Sequence, residues 1–187
     1  VAVLTGRYDK QATDLRRVIA TGDFNCLSAT VLFGAVCERA NISVEYWSQP
    51  GHVYCRLSER GQRIEPASRQ WGSAPQSLQA SAPARRITPV QLVGKFYYNR
   101  GVEQLQRREF EAGIASLRRA SQLDPLDADA PANLLAGLNN WALALVEQDQ
   151  PVAAAALIGR GLAIDPGFAP LVANRRYLAE RVRAAAP

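Results

Sequence analysis

Cys26, His52 and Glu65 are three residue types that together perform nucleophilic chemistry, and they follow one another along a short stretch of the chain. A cysteine thiolate attacks a carbonyl carbon. An imidazole takes and returns the proton. A carboxylate fixes the imidazole tautomer and stabilises the imidazolium. His52 is the single histidine in 187 residues, so any cysteine–imidazole chemistry must use it. The other thiols, Cys37 and Cys55, make the cysteine count three. An odd count with these spacings implies neither a disulfide framework nor a zinc site, and no metal or other cofactor is expected.

The surrounding pattern supplies elements to position the three groups. Leu27, Val31, Gly34 and Ala35 recur at helical spacing after Gly22-Asp23-Phe24-Asn25, which predicts a helix from about Cys26 to Ala40 with Asp23 or Asn25 as its cap. Cys26 then lies in the first turn, where unpaired backbone N–H groups and the helix dipole favour thiolate over thiol. Cys37, about three turns on, reads as a core thiol. Asp14 to Ala20 reads as a shorter helix.

Ile42 to Ser48 reads as a strand, Gln49-Pro50-Gly51 as a turn, and His52 to Leu57 as a second strand. Val53, Cys55 and Leu57 should face the core, with His52, Tyr54 and Arg56 on the other face. A Ser58–Gly61 loop and a third strand, Gln62 to Glu65, complete a hairpin. Its register should pair Leu57 with Gln62, Cys55 with Ile64 and Tyr54 with Glu65. Glu65 is then a diagonal neighbour of His52, ~7–8 Å away at Cα and within reach of a glutamate side chain. A slip of one residue would send Glu65 to the opposite face. The Cys26 N–H is one oxyanion donor. For a second, Trp47 and the Asn25 amide are the candidates.

The chain changes character after Pro66. Residues 69–93, rich in Pro, Ser, Ala and Gln, read as a linker between a core at 1–68 and a helical region at 94–187. Within that region two segments superimpose: Gly101, Gly113, Ala120 and Pro125 in one match Ala142, Ala154, Gly161 and Pro166 in the other. Small residues let two antiparallel helices approach closely, and each proline stops its unit. Residues Leu126–Asn133 form a loop or a lengthened helix start. Phe168 to Ala185 reads as a closing helix with Leu171, Val172, Tyr177, Leu178 and Val182 on its apolar side.

Composition narrows the remaining classes. Apolar residues make up 48% and charged residues 21%, the balance of a folded chain rather than a disordered one. The net charge of +5 comes almost wholly from arginine, Lys10 and Lys95 being the lysines, scattered beside Glu and Asp. No basic run interleaves with aromatics, so no nucleic-acid partner is expected. No apolar run approaches the ~18–20 residues of a membrane span. The sequence opens at Val1 and contains no Met, so the expectation is that the natural N-terminus lies upstream. The compartment, cytoplasmic or periplasmic, is not assigned by any motif.

Two resemblances join these observations. Asn25-Cys26-Leu27-Ser28-Ala29, Gly51-His52-Val53-Tyr54 and Ile64-Glu65-Pro66 resemble the transglutaminase-like superfamily, with its papain-like triad, over roughly residues 20–66. Glu65 stands where the family usually has Asp, and Tyr54 where many members have Trp. The helical region resembles the tetratricopeptide repeat, although the Pro125–Pro166 interval exceeds the family's ~34 residues. The combination is similar to that in bacterial proteins.

The implied fold is α+β: a small papain-like core, then an all-α stack of two helical hairpins and a capping helix. The implied function is a cysteine acyl-transfer enzyme, a protease, amidase or transglutaminase, with Cys26 as nucleophile, His52 as base and Glu65 as orienting acid. The rival is an inactive module that binds a peptide or protein. In either case the resemblance implies a protein or peptide partner, with Tyr98, Asn99 and Asn140 facing the repeat groove.

Overall fold

Asn25 shows why the second helix starts where it does. Its side chain accepts from the Ser28 N–H at 2.9 Å, and the Ser28 hydroxyl accepts from the Asn25 N–H at 2.9 Å. This reciprocal capping box satisfies two backbone donors that a helix start otherwise leaves unpaired. The computed structural model describes residues 6–68 and 83–184. Among them the chain is α+β, with seven helices and one four-stranded antiparallel sheet, and it divides into two units between Asn99 and Arg100.

The first unit contains α1 (Leu15–Thr21), α2 (Cys26–Arg39), β1 (Val44–Gln49), β2 (His52–Leu57), β3 (Arg63–Ile64) and β4 (Arg85–Ile87). The helix α3 (Pro89–Gln106) begins in it. Asp14 caps α1 by accepting from the Arg16 N–H at 2.9 Å, and Gly22 ends it in the left-handed region at φ 77°. At the far end of α2, Asn41 takes a positive φ of 53° and releases the chain into β1.

The sheet order is β3-β2-β1-β4. The β2–β3 register pairs Cys55 with Ile64, and the Leu57 N–H donates to the Gln62 carbonyl at 3.0 Å, as the alternation of the sequence requires. The helix α2 packs on β1 and β2. Leu27, Val53, Ile87 and Leu92 form the core between them, with Cys26, Val31, Tyr46 and Phe96 at its margin. Gly34 faces the Tyr46 ring so closely that a Cβ there would overlap the phenol oxygen, so a side chain at 34 would displace the ring.

Residues 69–82 of the expected linker lie outside the described residues. Its later part is not linker: Arg85–Ile87 adds the edge strand β4 to β1, and Pro89 opens α3. Thr88 and Gln91 hold that start by exchanging bonds, Thr88 N–H to Gln91 Oε1 at 2.8 Å and Gln91 N–H to Thr88 Oγ1 at 3.2 Å.

The second unit comprises the rest of α3 with α4 (Phe110–Leu123), α5 (Asp129–Glu147), α6 (Pro151–Ile164) and α7 (Ala169–Ala184). The helices α4 and α6 end at Leu123 and Ile164, each one residue before an Asp-Pro pair. A Cβ on Gly101 would sit 3.0 Å from the Gly113 carbonyl, which shows how closely α3 and α4 approach. The extra residues after Pro125 go partly into a turn and partly into the start of α5. In α7, Leu171 and Leu178 are buried, but Tyr177 is half exposed, against expectation. Leu171 and Leu178 repeat after two turns on one stripe, and Tyr177 lies about 100° round the helix from it. No helix among the described residues is long and apolar enough to cross a membrane.

Candidate active site

The start of α2 and the start of β2 meet at one point. Cys26, partly accessible, is the first residue of α2, and the His52 side chain, the Val53 N–H and the Tyr8 hydroxyl all lie near enough to its sulfur to favour the thiolate. His52 is buried and its Nε2 lies 2.7 Å from Glu65 Oε2. This leaves Nδ1 to serve the sulfur. Cys26, His52 and Glu65, predicted from the spacing, are therefore brought together in series.

Glu65 is held on its other side as well. Its Oε1 accepts from Arg63 Nε at 2.5 Å, and the Arg63 guanidinium lies 3.8 Å over the Tyr54 ring. Tyr54 in turn stacks beside His52 at 6.1 Å between centroids and beside Trp47 at 6.4 Å. Tyr54 is only 1% exposed, so the β2 face opposite Val53 and Cys55 is covered too. Trp47, His52 and the Arg63 guanidinium flank the phenol ring. A ring so flanked is a rigid neighbour for the imidazole.

The electrostatics follow from these contacts. Burial alone would raise the Cys26 thiol, but the hydrogen bond and charge of His52, with the Val53 N–H and the Tyr8 hydroxyl, outweigh it and leave the thiol below its ordinary value. Burial alone would lower His52, but its bonds to Cys26 and Glu65 and their negative charges carry it up to about 9. Glu65 is raised by burial and lowered more by His52 and Arg63, ending below the usual carboxylate value. All three shifts run in the direction that favours the charged forms, thiolate, imidazolium and carboxylate. Cys37 and Cys55 have no such partners: burial raises both, Cys55 to about 12.

Both expected second oxyanion donors have other partners in this structure. The Asn25 amide nitrogen donates to the Lys10 carbonyl at 3.0 Å and to Thr13 Oγ1 at 2.9 Å. The Trp47 indole donates to Glu45 Oε2 at 3.2 Å. The residue missing from the sequence reading is Tyr8, whose hydroxyl reaches both the sulfur and the backbone N–H of Cys26. No periodicity marks it.

Of the residues expected to face a repeat groove, Tyr98 is half-buried and Asn140 exposed. Asn99 donates through Nδ2 to Thr13 Oγ1 at 3.3 Å, within the first unit. Among the described residues no group of three or more His, Cys, Asp or Glu side chains is placed to hold a metal ion. No family model matches the chain, and neither a curated protein nor a solved structure matches it.

Proposed function

We propose that the chain is a cysteine acyl-transfer enzyme acting on an amide, built on a transglutaminase-like core. One observation carries this reading: a single imidazole stands between a partly accessible helix-start cysteine, whose thiolate it favours, and a buried carboxylate bonded to it at 2.7 Å. A cysteine placed only for packing needs neither partner. Cys37 and Cys55, buried in the same unit, have neither.

The chemistry follows from the roles. The Cys26 thiolate adds to the amide carbonyl carbon and forms the S–C bond. The His52 imidazolium gives its proton to the departing amine as the C–N bond breaks, leaving a thioester. Neutral His52 then takes a proton from the acceptor, which displaces the sulfur. A water acceptor gives an acid and an amine acceptor gives a new amide. Glu65 keeps its charge throughout and holds the ring in one tautomer.

The helical unit is proposed as a tetratricopeptide-like stack that engages a peptide or protein. The close Gly101–Gly113 approach and the helix ends before Pro125 and Pro166 support this. An electrophilic activity-based probe tests the enzymatic reading. It should modify wild type at Cys26, fail on Cys26→Ala and react much more slowly with His52→Ala. Equal modification of all three cysteines would contradict it.

A further inference from the structure

The segment from Gly6 to Thr13 is strapped to the residues that lead into α2. Gly6 N–H donates to the Gly22 carbonyl at 3.0 Å, Phe24 N–H to the Arg7 carbonyl at 3.1 Å, and Asp9 N–H to the Phe24 carbonyl at 2.9 Å. Tyr8 and Phe24 thus form a parallel bridge, and their rings meet edge to face at 6.2 Å. The Asp23 carboxylate accepts from the Arg7 N–H at 2.8 Å. Beyond Tyr8, the Asn25 amide holds the Lys10 carbonyl and Thr13. The same asparagine that caps α2 therefore also fixes the strap, and the strap's phenol oxygen is brought against Cys26.

That hydroxyl lies near enough to Cys26 to act on both its sulfur and its backbone N–H. When a thiolate adds to a carbonyl, the new oxyanion is bonded to the carbon that carries the sulfur, within reach of the nucleophile's own N–H. The Tyr8 hydroxyl stands in that place in the free protein. We propose that Tyr8 is the second oxyanion donor of the site: the substrate carbonyl oxygen takes its position against the Cys26 N–H, and the displaced phenol O–H donates to that oxygen. This rests on the acyl-transfer reading above.

The step is balanced without any further reactant. A sulfur electron pair forms the S–C bond, the C=O π pair moves on to oxygen, and Tyr8 keeps its proton. Tyr8 is 53% exposed, so its ring has room to swing outward on the strap. Burial and the neighbouring Cys26 raise its phenol to about 12, so it remains a proton donor across the working range. A donor whose bond strengthens as charge develops on the oxygen stabilises the transition state more than the ground state.

The test compares two reactions at the same sulfur. Acylation of Cys26 by p-nitrophenyl acetate passes through an oxyanion, whereas alkylation by iodoacetamide is a direct displacement with none. Both are measured on wild type and Tyr8→Phe, at a pH where thiolate absorbance shows Cys26 fully ionised in each. Tyr8→Phe keeps the ring against Phe24, and matching thermal melts establish that it is folded. The expected result is acylation slower by on the order of 100-fold with alkylation unchanged. Acylation at the wild-type rate or faster overturns the donor role, since a phenol that only packs or obstructs gives one of those results. A parallel loss in both reactions also overturns it, because it places Tyr8 on the thiolate rather than on the oxyanion. Wild type that acylates no faster at Cys26 than at Cys37 or Cys55 sinks the acyl-transfer reading itself.

Discussion

Glu65 Oε2 lies 2.7 Å from His52 Nε2, a bond made between the residue that opens β2 and the residue that follows β3. The hairpin register makes this contact possible. With Cys55 opposite Ile64, Glu65 falls on the His52 face of the sheet, and Arg63 on that face grips the second carboxylate oxygen. The imidazole therefore has one nitrogen committed to a charge-bearing partner.

Glu65→Gln preserves a hydrogen-bonding side chain but removes the charge. The imidazolium loses one of its two anionic partners, and the thiolate weakens with it. Iodoacetamide labelling of Cys26 at neutral pH should fall by about tenfold, the scale of one charge lost from a buried pair. Residue-resolved mass spectrometry measures it, with Cys37 as the internal control.

The carboxylate also sets stability at low pH. Its folded value is depressed below the ordinary 4.5, so its contribution is present above 4.5 and is lost as pH falls through the lower folded value. Urea unfolding midpoints should hold steady down to about pH 4.5 and then drop. In Glu65→Gln the curve should start lower and show a shallower drop.

Asn25→Ala removes the α2 cap and the two side-chain bonds that tie the strap to Asn25. Loss of a capping side chain with its buried partners costs about 2 kcal/mol. Urea denaturation should show this loss. Because the strap carries Tyr8, p-nitrophenyl acetate acylation of Cys26 should fall as well.

Two glycines in the helical unit should respond in opposite directions. A Cβ at Gly159 meets nothing within 4 Å, so Gly159→Ala should stabilise by about 0.5–1 kcal/mol through helix propensity. A Cβ at Gly101 would lie 2.7 Å from Leu117 Cγ and 3.0 Å from the Gly113 carbonyl, so Gly101→Ala should destabilise by about 1–3 kcal/mol. Thermal melts of the two variants give the comparison.

The triad was legible because each member lies in a locally decisive pattern. Asn25-Cys26-Leu27-Ser28 carries its own capping chemistry, and strict alternation in β2 with the short Ser58–Gly61 loop leaves one register that buries Ile64. The edge strand β4 was not legible. It has three residues, two of them arginine, and its partner β1 lies far back in the chain, so neither periodicity nor a hairpin turn announces it. The start of α3 was readable and outweighed: Thr88-Pro89-Val90-Gln91 has a capping box with proline at the first helical position, but it stands among the prolines of the expected linker. Tyr8 escaped because it is placed by a parallel backbone bridge to Phe24, a non-local contact with no sequence period.

His52 is the single histidine, so its imidazole resonances can be assigned without ambiguity. Their pH titration by NMR, on wild type, Cys26→Ala and Glu65→Gln, tests the central contact most directly. The account predicts a midpoint of about 9 in wild type that moves down in each variant. A wild-type midpoint near the ordinary 6.5, unmoved by either substitution, would contradict it.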